Sequence, residues 1–269
     1  MAKRVKLRKG QPTLRPVRAD LHIHTVLSAC ADYRMAPPLI VRTALQRGLD
    51  LIAITDHNSG ENAGAVLRAA EGTGLTVLPG MELCTREEVH LVALFPELIS
   101  LLCWQEEVYE ALPHLANDEA VFGVQLVVDE QGRFLGKNHR FLFAATDFSL
   151  EEAVRRITEI GGFCFPAHVD RPAFGLLTQL GFLPQDVDLP AVEISPRISC
   201  QAARERFPSL GSRVIIQASD AHRLEDIGLG MTVFSMAEPS FEELILASVG
   251  RDGRGVLGYG QLPGGQDLV

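Results

Sequence analysis

Ala19-Asp20-Leu21-His22-Ile23-His24-Thr25 decides how the rest of the chain is read. Leu21 and Ile23 alternate with His22 and His24 at the two-residue period of a pleated strand, so this stretch is predicted to be a short β-strand. Side chains at that spacing leave the same face, about 6–7 Å apart along the strand, near enough to converge on one cation. Neighbouring buried imidazoles are costly unless something accepts their lone pairs, and a divalent metal does so best. An H-x-H pair alone is equally compatible with two core histidines satisfied by carbonyls. The positions of the other histidines separate the two readings.

Working outward, the apolar runs 51–54, 75–78, 89–95, 163–165, 191–194, 214–216 and 231–235 are predicted strands. Helical spacing covers 39–47, 63–70, 97–112, 149–160 and 241–249. Short apolar strands separated mostly by helices imply an α/β protein with a parallel barrel. Segments 124–128 and 133–135 flank a turn and read as a β-hairpin inserted into that alternation.

The eight histidines are His22, His24, His57, His90, His114, His139, His168 and His222. All but His114 and His139 fall on or just past predicted strands, several beside a carboxylate. Strand ends of a barrel point into one basin. Six imidazoles with Glu82, Asp220 and Asp32 make a mixed nitrogen and oxygen set suited to Zn²⁺, Mn²⁺ or Fe²⁺ rather than Ca²⁺. They are too many for one tetrahedral ion, so two or three divalent metals are expected, with a carboxylate such as Glu82 as bridge.

Composition narrows the classes. A chain of 269 residues holds one barrel-sized domain or two small ones, and 46% hydrophobic residues exclude global disorder. No apolar run approaches the ~18–20 residues that span a bilayer, and the basic N-terminus lacks the apolar segment of a secretory signal. Cys30, Cys84, Cys103, Cys164 and Cys200 are odd in number and scattered, which fits a reducing cytoplasm. A net charge of −9 disfavours binding to long duplex nucleic acid. Residues 1–17 are expected to be a basic tail without a partner, 18–250 the folded domain, and 251–269 a loose glycine-rich tail.

The sequence resembles the PHP (polymerase and histidinol phosphatase) family of metal-dependent phosphoesterases. The resemblance rests on Asp20-Leu21-His22-Ile23-His24-Thr25, Ile54-Thr55-Asp56-His57-Asn58, Pro79-Gly80-Met81-Glu82-Leu83, Glu88-Val89-His90, Pro166-Ala167-His168 and Ser219-Asp220-Ala221-His222. These occur in the family's order and span residues 18–235. It implies a distorted (β/α)7 TIM-like barrel, here with the inserted hairpin. It further implies a first ion held by His22, His24, Glu82 and Asp220, and a second shared through Glu82 with His90 and His168. A third would be held by His57 and His222, with Asp56 orienting its neighbours or serving the chemistry with Glu82 and Asp220. Where family members usually complete the third site, this chain has Ala29 and Cys30, with Asp32 the nearest carboxylate. Both Cys30 and Asp32 remain candidate ligands.

Paired ions lower the pKa of water and clamp the attacking and leaving oxygens of an in-line displacement, so hydrolysis of a phosphate ester by metal-bound hydroxide is expected. No C-x₅-R phosphate loop and no nucleotide-binding glycine loop is present. Arg171 and Arg197 are placed to meet phosphate, or to make surface salt bridges. The expected substrate is a small phosphorylated molecule, a nucleotide or a short oligonucleotide; oligomeric state is not legible. Two rival readings are an amidohydrolase-type barrel and a PHP domain kept as a non-catalytic binding module. The first often needs a barrel-strand lysine, whereas the lysines here are Lys3, Lys6, Lys9 and Lys137. The second would lose metal ligands, and nearly all are present.

Overall fold

Runs of apolar residues with no polar alternation make strands buried on both faces, and such strands build this protein. The structure, a computed structural model, describes residues 12–260. Strands β1 (Arg15–Ile23), β2 (Leu51–Ile54) and β3 (Thr76–Cys84) lie side by side and parallel. Strand β4 (His90–Leu94) turns back antiparallel to β3. The pair β5 (Leu126–Val128) and β6 (Phe134–Lys137) is the inserted hairpin. Strand β7 (Phe163–Pro166) runs antiparallel to β4, while β8 (Ala191–Ile194) and β9 (Val214–Gln217) pair parallel with each other. Finally β10 (Met231–Met236) and β11 (Gly255–Gly260) extend the sheet beyond β1, giving the order β11-β10-β1-β2-β3-β4-β7.

That curled sheet leaves a gap which β8 and β9 fill. Val169 N–H donates to Glu193 O at 2.9 Å, holding β8 beside the end of β7. Across the other seam, His24 N–H donates to Ala221 O at 3.0 Å and Ala221 N–H to His22 O at 3.2 Å, joining β9 to β1. The result is a distorted TIM-like α/β barrel.

The helices are α1 (Pro37–Gln46), α2 (Ala63–Ala70), α3 (Leu98–Ala111), α4 (Glu119–Phe122), α5 (Leu150–Glu159), α6 (Leu176–Gln179), α7 (Cys200–Arg206) and α8 (Phe241–Ser248). Local chemistry sets their ends. Pro37 opens α1, and Ser149 and Glu152 form a reciprocal capping box on α5. One apolar cluster packs Ile52 and Ile54 of β2 and Met81 and Leu83 of β3 against Val41, Val66, Trp104 and Ile157 of the helices. The other takes Leu21, Ala53, Leu78, Val92, Phe165, Ala191 and Ile216, one from each of seven strands, and therefore fills the barrel interior, with Phe241 and Leu244 of α8 against it.

Four expectations are corrected. The barrel is not all parallel, because β3 and β4 are joined by a tight turn at residues 85–89 that leaves no room for a crossover helix. Strand 75–78 continues to Cys84, since Pro79 and Gly80 fit the strand instead of ending it. The first strand starts at Arg15, inside the expected tail; residues 1–11 of that tail lie outside the described residues. The stretch after Arg251 is not loose throughout: Gly255–Gly260 pairs with β10, and Arg254 forms a two-pronged ion pair with Glu243 of α8 at 2.6 and 2.7 Å.

Candidate metal centre

Inward-facing positions climb each strand to one rim. Leu78, Gly80 and Glu82 do so on β3, Ala191 and Glu193 on β8, and Ile216, Ala218 and Asp220 through the end of β9. Strand β4 runs the other way, so its first residue, His90, reaches the same rim. Strand β1 needs a correction to join them. Val17, Ala19 and Leu21 face the interior, but the pairing with β2 slips between Asp20 and Ile23, and Ile23 packs under the helices. This irregularity turns His22 and His24 inward.

Five imidazoles thus surround one carboxylate, and the sixth, that of His222, stands beside Asp220. Glu82 Oε1 lies 2.8 Å from His90 Nδ1, 3.2 Å from His22 Nε2 and 3.2 Å from His168 Nε2. Its Oε2 lies 2.9 Å from His57 Nδ1 and 3.4 Å from His24 Nε2. Asp220 Oδ1 faces His24 Nε2 at 3.1 Å and His22 Nε2 at 3.3 Å. His222 Nδ1–H donates to the Asp220 carbonyl at 2.9 Å. Three donor sets each gather within 4.8 Å: His22, His24, Glu82 and Asp220; His57, Glu82 and His90; His24, His57 and His222.

Electrostatic perturbation and backbone strain both concentrate at this cluster. Burial pushes the Glu82 carboxyl up, but His90, His22 and His57 outweigh it and hold it well below the usual range. Burial likewise raises Asp220, and His22 with its other neighbours brings it well below. His24 goes the other way, lowered well below its ordinary value by burial and then by His222 and His57. His168 and Asp220 stand at φ +28° and +52°, a conformation costly for residues with a Cβ and found where function requires it. The test of fit is polar satisfaction. Glu82 Oε2 and His168 Nδ1 are buried and make no hydrogen bond, which native proteins rarely tolerate. Mixed imidazole and carboxylate donors with two such orphans suit divalent transition metals.

Other expected residues fall variously. Asp56 is not in the cluster: its oxygens accept from Thr25 N–H, Thr25 Oγ1–H and Ser28 Oγ–H, each at 2.7 Å. Both of its oxygens are thus engaged by the loop at residues 25–28 and not by the imidazole cluster. Ser28 in turn accepts from His24 Nδ1–H at 2.9 Å, leaving His24 Nε2 free for an ion. Asp32 turns away, accepting from Arg34 N–H at 2.8 Å and Nε–H at 3.1 Å. Cys30 stands at the cavity mouth, where desolvation raises its thiol but hydrogen bonds with His222 and His57 lower it more, to about 7. Arg171 pairs with Asp220 Oδ2, and exposed Arg197 lines the same cavity of about 1790 Å³. Phe174 stacks on His90 at 4.3 Å and Phe143 tilts over His57 at 5.0 Å, so two aromatics flank the donors.

The sequence profile of the PHP domain matches residues 20–172, more than half of the chain. The chain belongs to the PHP family. A PHP-associated profile follows at residues 215–248, across β9 and β10. An uncharacterized protein of Methanocaldococcus jannaschii is 31% identical over 87 residues, 29% of this PHP chain and 50% of its relative. The lesion-specific endonuclease PfuEndoQ of Pyrococcus furiosus superposes with TM-score 0.74 at 20% identity, over 93% of this chain and 60% of its own. Endonuclease Q in complex with a 27-mer duplex bearing an abasic lesion gives 0.72 at 19%, over 90% and 59%. A two-domain Bacteroides vulgatus protein containing a PHP-like metal-dependent phosphoesterase gives 0.53 at 17%, over 93% and 68%. The chain thus spans under two thirds of the endonuclease Q chains. Among the described residues no helix is long and apolar enough to cross a membrane.

Two residues that touch the cluster, Ser28 and Glu193, escaped the sequence reading. Glu193, fully buried, meets His22 Nδ1 at 2.9 Å. The signal was present: one charge inside Ala191-Val192-Glu193-Ile194 must have a partner.

Proposed function

We propose that this PHP chain is a metal-dependent phosphoesterase carrying two or three Zn²⁺, Mn²⁺ or Fe²⁺ ions. The observation that carries the reading is the single carboxylate of Glu82 facing five imidazoles with one oxygen left unsatisfied. His22, His24, Glu82 and Asp220 would hold one ion; Glu82 would share a second with His90 and His168; His57, His222 and Cys30 would serve a third. When bound, such ions activate water at neutral pH and neutralise charge on phosphoryl oxygens. The chain's own groups do the rest. Arg171, tethered to Asp220, presents its remaining N–H groups to the cavity, and Arg197 offers a second cation for phosphate. Phe143 and Phe174 cover one side of the imidazoles and limit water there.

Neither rival fits as well. Lys137 lies on the hairpin and pairs with Glu119 at 2.8 Å, so it cannot bridge ions as amidohydrolase-type sites require. A binding module would not need an intact ligand set. Within phosphoester hydrolysis, a nucleic-acid substrate is a second reading. It is favoured by a cavity larger than the ~300–1,000 Å³ of ordinary small-molecule sites and by the fold shared with endonuclease Q.

The test is metal analysis of the purified protein with a panel of phosphomonoesters, nucleotides and lesion-bearing oligonucleotides. Glu82→Gln keeps shape but loses charge, and hydrolysis is expected to fall at least ~10²-fold. Less than one ion per chain after reconstitution, or near wild-type rate in the variant, refutes the reading.

A further inference from the structure

We propose that Glu193 is a positioning residue that aims ligands of two ion sites at once. The proposal rests on the metal reading above but concerns a residue outside every donor set. Its two oxygens divide the work. Oε2 accepts from His22 Nδ1–H at 2.9 Å, and Oε1 accepts from the backbone N–H of His168 at 3.1 Å. His22 belongs to the first site and His168 to the second. The strand's own backbone adds a third tie, Val169 N–H to Glu193 O at 2.9 Å, so the whole residue clasps the turn that carries His168.

The first contact fixes a tautomer. A carboxylate has no hydrogen to give, so His22 must carry a proton on Nδ1, and with an ion bound its Nε2 would offer the lone pair between Glu82 and Asp220. The second contact helps keep His168 at φ +28°, a backbone that would otherwise relax and swing the imidazole away from Glu82. Glu193 is 0% exposed, and among the described residues no lysine or arginine pairs with it. A buried carboxylate held by one imidazole and one backbone N–H is a costly device for holding a fold together. Its charge makes sense beside cations.

Glutamine tests this sharply because it matches glutamate in shape but offers one acceptor and one donor. If its oxygen faces His22, its amide meets the His168 N–H donor to donor. If reversed, the amide donates to His22 Nδ1 and forces the proton onto Nε2, where an ion should sit. Neither orientation satisfies both partners.

The experiment compares wild type and Glu193→Gln, stripped of metal and titrated with Zn²⁺ by calorimetry. Long-range ¹H–¹⁵N spectra of the Zn²⁺-loaded proteins report the His22 tautomer. Expected are an affinity for the tightest ion about 10–100-fold weaker in the variant, and a His22 protonated on Nδ1 in wild type. The metal-free variant is expected to melt below the metal-free wild type, because glutamine leaves one buried partner unsatisfied in either orientation, so affinities are compared at a temperature where both proteins are folded. Equal Zn²⁺ affinity in the two proteins overturns the proposal. So does wild-type His22 protonated on Nε2, a readout that needs no variant. Wild type that binds no Zn²⁺ instead refutes the metal reading itself.

Discussion

Two residues of one loop offer themselves to the ion nearest the cavity mouth, and their surroundings divide them. Asp32 is spent on Arg34, which also reaches Glu225 at 2.8 Å, so freeing its carboxylate would break a small ionic network. Cys30 stands beside His57 and His222 with its thiol lowered to about 7, and a thiolate is a good ligand for a soft ion. Cys30→Ser is therefore expected to lower the metal content by one ion per chain, and Asp32→Asn to leave it unchanged. Metal analysis of the two variants decides; the reverse pattern would return the role to Asp32. At this scale the clustered histidines and carboxylates were legible because histidine beside aspartate at a strand end is unusual in a purely structural setting. The supporting groups were not. Ser28 and Glu193 touch the cluster through second contacts, Ser28 from a loop and Glu193 from a strand 171 positions along the chain from His22, and no local spacing announces that.

At the level of elements, β11 makes the most testable claim. A glycine-rich edge strand has little side-chain burial to hold it, so its anchor to α8 matters. The hydrogen bonds from Arg254 hold the Glu243 carboxyl below its ordinary value. A depressed carboxylate contributes stability that is present above its unfolded pKa, about 4.3, and is lost as pH falls through the lower folded value. Hydrogen exchange of the β11 amides should thus be faster in Glu243→Gln than in wild type at pH 7, and the gap should close below about pH 4. A pH-independent gap would mean that packing, not the ion pair, anchors the strand. The strands around the barrel could be read from apolar runs, since four buried residues in a row look alike in any orientation. Orientation could not. The turn that reverses β4 is short, but its consequence, His90 at the rim by its N-terminal end, appears only once β3 and β4 are paired. The slip in β1 is equally silent, because alternation predicts that His22 and His24 share a face without saying which.

Across the whole molecule, charge and metal are linked. The chain carries 34 acidic against 25 basic residues, and several of the acids are buried together at one end of the barrel. Ions that bind the folded state alone add stability by mass action, about 2.7 kcal/mol at 100 times the dissociation constant. For a barrel of this size that corresponds to a melting temperature roughly 5–10 °C higher. Chelation should lower Tm by that order and restored Zn²⁺ should return it; a Tm indifferent to chelator would argue that no ion is held in the folded state.

The seam between β1 and β9 has a consequence for how the protein is made. His22 and His24 leave the ribosome about two hundred residues before Asp220 and His222, which share donor sets with them in the folded chain. Contacts so distant along the chain form last, after most of the loop-closure entropy has been spent. A nascent chain therefore carries these histidines through some two hundred residues of synthesis without owning the full cluster. On the proposed metal reading, ion capture would coincide with closure of the barrel, and a product cut before Asp220 would lack one of the four donors of the proposed first site.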